Sequence, residues 1–425
     1  MPVIRQLSAI EVLDSRGKPT VKATCVLDDG VAASASVPSG ASTGKAEMVE
    51  LRDRDPHRYR GMGCRKAVAN VNGVIADALR GRSIDHQSEL DAALLALDGT
   101  SHKWNLGANA MLAVSIAFAR AQAKANGRPL YAHFADMIGR PLTTLPRMTI
   151  NLFSGGKHAG GQVPIQDVLL VPAAAKTIDE GLATVHSIYY AAADLTKEKY
   201  AQRPLKADEG GLAPPFPYTG SMFGDAQESI ARAGYRLGGD VFLAVDVASS
   251  HFYSDGKYRV SANGPPETSD QMVNTLCAWV GRMSIVSLED GLAEDDWETW
   301  PKLTKALAGM CIVVGDDFLC TNPARIRRAI DAGACNALLL KVNQIGTLTE
   351  AAEALKLARD AGWKVTVSAR SGETEDDWLA DLAVGWAGDQ IKIGSITQSE
   401  RLAKYNRLLE IEAETKLPVV EWPRE

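Results

Sequence analysis

The chain has 425 residues, 46% of them apolar, more than one hydrophobic core of ordinary size would hold, so two domains are expected. A formal charge of −6 with no basic stripe excludes a nucleic-acid partner, and the lack of a basic-then-apolar leader or a run of about 18 apolar residues excludes a membrane one. What remains is a soluble, cytoplasmic protein whose six cysteines, never in C-x-x-C spacing, read as reduced and buried, and which can still take small anions through a few focused cations or a metal.

In chain order, 3–9 and 17–37 read as strands joined by turns, with the hairpin signal LDDG at 27–30. Apolar residues at helical spacing follow over 64–79, 87–96 and 107–126, and ANGRPL at 125–130 supplies a glycine stop for the last. This predicts a meander-plus-helices domain over 1–135. RPLTTLPR at 140–147 then reads as the connection into a larger domain over 136–425.

Short apolar strands recur beyond it, at 165–171, 240–247, 284–290, 311–317, 337–343, 364–370 and 390–394. Such β–α alternation predicts parallel strands buried on both faces. Helices are expected at 225–237, where Asp225 and Glu228 have capping-box spacing, and at 322–332, where Asn322 precedes a first-turn proline. Polar or ionisable residues stand at most of the strand ends. An open doubly wound sheet gathers such groups at one switch point, whereas a barrel collects them from many strands, so the pattern favours an α/β fold of the β/α-barrel type.

Asp246, Glu289 and Asp316 each close an apolar strand, and the intervals between them leave room for helical crossovers. Taken singly, each also fits a helix N-cap or a solvated loop acid. On neighbouring strands, three carboxylates in one mouth would repel one another unless a hard cation neutralised them, and Mg²⁺ is the natural occupant. Lys341 and Lys392 follow apolar strand residues, where a lysine is costly unless its ammonium reaches the mouth. Near each other and a metal, either is expected to have its pKa lowered toward that of a base for a carbon acid; the alternative is snorkelling or a structural ion pair. DEGGLAP at 208–214 fits a tight turn around a small ligand or a purely structural one. VPSGASTGK at 37–45 lacks the phosphate-loop spacing, and reads as a mobile lid or a plain surface loop.

These segments resemble the enolase family. The likeness runs through DSRGKPTV (14–21), VPSGASTGK (37–45), SGGKHAGG (154–161), DEGG (208–211), LEDGLAEDDW (288–297), GDDFLCTNPARI (315–326), LLLKVNQIGT (338–347), SARSGETEDDW (368–378) and SERLAKYNRLLEIE (399–412). It implies an N-terminal α+β capping domain on a β2α2(βα)6 barrel, one or two Mg²⁺ ions, and a homodimer or higher symmetric oligomer. By that likeness Asp246, Glu289 and Asp316 are metal ligands and Ser42 is the lid residue that reaches a second Mg²⁺. Lys341 is the base that removes a proton alpha to a carboxylate, Lys392 helps hold that carboxylate, and Glu209 is the acid opposite. Arg370 and Ser371 are phosphate contacts, Gly40 and Ala41 are substrate-binding residues of the lid, and His158 and Asp167 complete the catalytic set.

The chain also departs from the family. Ala369 stands where a histidine is usual, and Asp167 where a glutamate is usual, shortening the reach of its carboxylate by about 1.5 Å unless the backbone compensates. Ser154 replaces an asparagine, Gly291 a proline, and Gln398 a basic residue. The carbon-acid half of the chemistry is thus intact, and the leaving-group and phosphate side altered. Three readings follow. The first is an enolpyruvate-forming enzyme acting on 2-phosphoglycerate or a phosphonate-related three-carbon acid, with carboxyphosphonoenolpyruvate synthesis in phosphonate antibiotic biosynthesis, and a nucleotide-activated phosphonate as second substrate, as its specialised form. The others are ordinary dehydration of 2-phosphoglycerate to phosphoenolpyruvate, and a catalytically silent binding protein.

Overall fold

The computed structural model describes residues 2–41, 43–261 and 264–423. Its N-terminal part opens on an antiparallel meander of β1 (Ile4–Leu13), β2 (Pro19–Leu27) and β3 (Ala32–Ser36), with the 27–30 turn between the last two. A continuous helical segment follows as α1 (Arg65–Asn70) and α2 (Ala76–Leu79), separated by one π-helical stretch, Val71–Ile75. Then come α3 (Gln87–Asp98), α4 (Ala108–Ala125) and α5 (Leu130–Ile138). Alanine-rich α4 is buried along almost its whole length, packing on β2 and β3 and also meeting helices of the second part. Small side chains allow this helix close neighbours on several sides, which a surface helix would not need.

The second part is a closed eight-stranded barrel. Its strands are β4 (Arg147–Ser154), β5 (Asp167–Val171) and β6 (Phe242–Asp246) and, after the small hairpin β7 (Tyr253–Ser254) and β8 (Lys257–Tyr258), β9 (Ile285–Glu289), β10 (Ile312–Gly315), β11 (Ala337–Leu340), β12 (Lys364–Ser368) and β13 (Gln390–Gly394). Around it lie α6 (Ile178–Tyr200), α7 (Thr219–Arg232), α8 (Ser269–Met283), α9 (Trp300–Ala306), α10 (Pro323–Ala332), α11 (Val342–Ile345), α12 (Leu348–Asp360), α13 (Trp378–Gly385) and α14 (Ser399–Thr415). Two helices lie between β5 and β6, and each strand from β6 onward is followed by at least one. This is the β2α2(βα)6 order.

Three expectations need correction. The segment 165–171 does not pair in parallel: β5 is antiparallel to both β4 and β6. The 155–166 connection holds one 3₁₀ turn and no crossover helix, so the chain returns beside the strand it left. Strand β4 escapes the periodicity because Arg147, Thr149, Asn151 and Ser154 interrupt its apolar residues, although all eight of its residues are buried. Its polar side chains find partners, as when Thr149 Oγ1 donates to Gln390 Oε1 at 3.0 Å. Finally, Asp225 caps nothing: it lies inside α7, where it pairs with Lys199 and accepts from the Tyr200 hydroxyl at 2.6 Å. Asn322 does cap α10, accepting from Ala324 N and Arg325 N ahead of Pro323.

The two parts are stitched together beside the barrel mouth. Ser39 and Gly372 exchange backbone hydrogen bonds of 2.8 and 2.9 Å, Ser15 N donates to Glu373 O, and Arg16 Nη1 donates to Ser371 Oγ at 3.1 Å. The DSRG and SGE segments are therefore structural complements of each other. All six cysteines are unpaired, five of them buried. Among the described residues no helix is long and apolar enough to cross a membrane.

Candidate active site

One wall of the mouth is an arc of charges set by the strands. Asp246 and Glu289 end β6 and β9 and are register partners, Asp316 directly follows β10, Lys341 directly follows β11, and Lys392 lies in β13. Lys392 Nζ sits 2.9 Å from Asp246 Oδ2 and 2.7 Å from Glu289 Oε2, while Lys341 Nζ pairs with Asp316 Oδ2. Four of the five are buried, and the Lys341 side chain is only 12% exposed. Sequence reasoning brings these five together, and the fold does so too.

The lowering expected of the lysines depends on a cation beside them; among the side chains alone, the carboxylates prevail. Burial pushes both down, but the surrounding carboxylates together outweigh it, Asp316 and Glu289 at Lys341 and Asp246 and Glu289 at Lys392, and both ammonium groups end above their ordinary value. Among the acids, burial raises Asp246, yet Lys392 brings it down to about 2. Glu289 is held well above the carboxylate range by burial and by Asp246. The arc thus sets three carboxyl groups against two lysines, and their mutual repulsion with burial keeps Glu289 from ionising freely.

That imbalance, with donors that are carboxylate oxygens throughout, fits a hard divalent cation. A second acidic group adjoins it: ligand oxygens of Asp290, Asp316 and Asp317 all lie within 4.8 Å of one another. Asp290 Oδ1 and Oδ2 accept from the backbone N–H groups of Asp316 and Asp317 at 2.9 and 2.8 Å, so it shapes the loop that presents Asp316. Ser42 lies outside the described residues.

The opposite wall is carried by loop residues, His158 and Glu209, braced on β4 and β5. Asp167 has no exposed surface, and its oxygens meet Ser154 Oγ at 2.5 Å and His158 Nδ1 at 2.9 Å. His158 Nε2 faces Glu209 Oε1 at 3.9 Å, and Asn151 Nδ2 donates to Glu209 Oε2 at 3.2 Å. Burial disfavours the imidazolium, but Asp167 and Glu209 raise the His158 pKa to about 9. Ala369 lines the mouth with Ser368, Arg370 and Ser371, and donates its N–H to Lys392 O at 2.8 Å. The space left at the centre is about 20 Å³, roughly one water's worth, because ion pairs fill it.

The described residues of the 37–45 loop are docked on this mouth. Ala41 N donates to Ser371 Oγ at 2.9 Å, Lys45 N donates to Glu294 Oε2 at 2.9 Å, and Lys45 Nζ pairs with Asp295. A Cβ on Gly44 would stand 2.5 Å from Cys320 Sγ and 2.9 Å from Asp317 O, so only glycine lets the loop lie this close. Gly40 is half-buried between Ser39 and Ala41. Arg370 is gripped by both oxygens of Glu47 at 3.1 Å and by Asn343 Oδ1 at 3.0 Å.

Several participants escaped sequence reasoning: Asp290, Asp317, Glu47 and two amides, Gln166, whose Nε2 donates to Asp246 Oδ2, and Gln344, whose Nε2 donates to Asp316 Oδ1. The signal for Asp290 and Asp317 was present, since each directly follows a candidate ligand. Glu47 and the amides carry none, because their roles arise from contacts across distant segments.

Comparison with known families agrees with this geometry over nearly the whole chain. Residues 4–134 match the family described as Enolase, N-terminal domain, and residues 142–418 match Enolase, C-terminal TIM barrel domain.

Proposed function

The chain belongs to the enolase family, whose domains mark it as an enzyme of the lyase or isomerase type, and on that premise we propose that it is a Mg²⁺-dependent lyase forming an enolpyruvate product from a three-carbon phosphorylated or phosphonate acid. The observation that carries this reading is the convergence of Asp246, Glu289 and Asp316 with Lys341 and Lys392 in one mouth. Asp246, Glu289 and Asp316 would hold the cation, which when bound supplies the concentrated positive charge that a dianionic enediolate requires. Lys341 Nζ takes the proton alpha to the carboxylate once Asp316 no longer holds its ammonium form. Lys392 orients that carboxylate. Arg370 and Ser371 face the phosphorus group, and Glu209 with His158 faces the departing oxygen.

Ala369 and the withdrawn Asp167 favour a changed substrate over ordinary dehydration. A methyl group cannot donate, accept or carry charge, so this side of the mouth offers less to a hydroxide leaving group and more room to a bulkier phosphorus substituent. Carboxyphosphonoenolpyruvate synthesis with a nucleotide-activated phosphonate is the form this takes. The test pairs two assays: absorbance at 240 nm with 2-phosphoglycerate alone, and phosphorus NMR after adding nucleotide-activated phosphonoformate. Weak turnover in the first with a new carbon-bound phosphorus product in the second is expected. Robust turnover that Ala369→His does not increase would instead mark an ordinary enolase. We further propose a cytoplasmic homodimer covering the exposed Ile10 and Leu13 of β1, checked by sedimentation.

A further inference from the structure

Asp167 has no exposed surface and does not border the mouth, whereas His158 does. Both Asp167 oxygens are committed, one to Ser154 Oγ at 2.5 Å and the other to His158 Nδ1 at 2.9 Å. Ser154 and Asp167 are register partners on β4 and β5, so their contact is fixed by the barrel ladder rather than by a loop. Beyond the ring, His158 Nε2 and Glu209 Oε1 stand 3.9 Å apart, too far for a direct hydrogen bond and close enough for one oxygen to bond both. Asn151, also on β4, holds the other Glu209 oxygen.

A carboxylate on one ring nitrogen fixes the ring's orientation and so the direction in which the other points. We infer that Ser154 and Asp167 are positioning residues that aim His158, so that His158 Nε2–H and Glu209 Oε1 together hold an oxygen of the substrate that Asp167 itself never touches. Ser154 and Asp167, two positions where the chain departs from its family, are on this view one unit, the hydroxyl securing a carboxylate that has drawn back from the pocket. The identity of that substrate oxygen rests on the function proposed above; the aiming of the ring does not.

The test uses protein labelled with ¹⁵N-histidine and two-bond proton–nitrogen spectra, His158 being assigned by loss of its signals in His158→Gln. The wild type should show a hydrogen-bonded Nδ1 proton, and 2-phosphoglycerate with Mg²⁺ should shift Nε2. Asp167→Asn should lose the Nδ1 signature and the ligand-induced Nε2 shift. If any turnover is measurable, it should fall about tenfold to a hundredfold through kcat with KM little changed. Ser154→Ala should move the same Nδ1 proton, and serves if Asp167→Asn does not fold. Unchanged His158 ring signals in the folded variants would overturn the inference. A wild type that binds 2-phosphoglycerate without exchange or turnover would instead count against the proposed reaction, while the ring signals still decide the positioning.

Discussion

The two walls of the mouth differ in what holds them. Asp246, Glu289 and Lys392 lie in strands whose ladders fix their positions, and Asp316 and Lys341 follow strands directly. His158 and Glu209 stand on connections, held by side-chain hydrogen bonds to β4 and β5. A residue in a ladder moves only if the barrel moves, whereas one on a loop can be re-aimed by changing its supports. The departures at Ser154, Asp167 and Ala369 all touch the second wall or border it, and none replaces a charged residue of the first, although Asp167 is the ladder partner of Asp246.

Breaking the strand-borne wall should therefore cost most. Lys392→Ala would leave Asp246 and Glu289 buried without their cation, and the metal-free protein should lose about 3–5 kcal/mol of stability. Urea denaturation with and without Mg²⁺ checks this: the ion should restore part of the loss, and equal curves would remove the acids from a metal-holding role. Next in size is Lys341→Ala, which should slow exchange of the alpha proton of 2-phosphoglycerate by at least about a hundredfold. Equal exchange in mutant and wild type would acquit Lys341 as the base.

Changes on the loop-borne side should be smaller. His251, in the turn after β6, has its pKa lowered to about 4, chiefly by burial and then by Lys157. Its folded-state pKa is below the unfolded value of 6.5, so its neutral form is undisturbed above that pH and stability is lost as pH falls from 6.5 toward 4. With solvent screening allowed for, the loss is about 1–2 kcal/mol. Measured by denaturation at pH 7 and pH 5, the stability difference between wild type and His251→Gln should shift against the wild type at the lower pH; a constant difference would refute the assignment. Smallest, Ala369→His should raise turnover of 2-phosphoglycerate by up to about tenfold, and a decrease would show the methyl to be needed for that reaction.

The same contrast explains what the sequence made legible. Apolar runs ending in Asp246, Glu289 and Asp316 announce both a strand and its functional end, so barrel and arc could be read together. Strand β4 could not, because its inward Thr149 and Asn151 satisfy partners more than fifty residues away, Gln390 and Glu209. The antiparallel course of β5 depends on what its preceding connection lacks, which an apolar run does not record. Asp167 shows the limit for single residues: its identity revealed a shortened side chain, but not that Ser154 and His158 take up both oxygens. The lysines are a similar case, since whether burial or the neighbouring carboxylates prevail depends on distances that a strand-end lysine does not record.

One measurement bears most directly on the account of an intact carbon-acid wall facing a rebuilt one. Wild-type protein with Mg²⁺ and 2-phosphoglycerate in deuterium oxide would be followed by proton NMR, reading deuterium entry at the alpha carbon and phosphoenolpyruvate formation in the same sample. The account predicts exchange that clearly outruns elimination. Elimination that keeps pace with exchange, or no exchange at all, would contradict it.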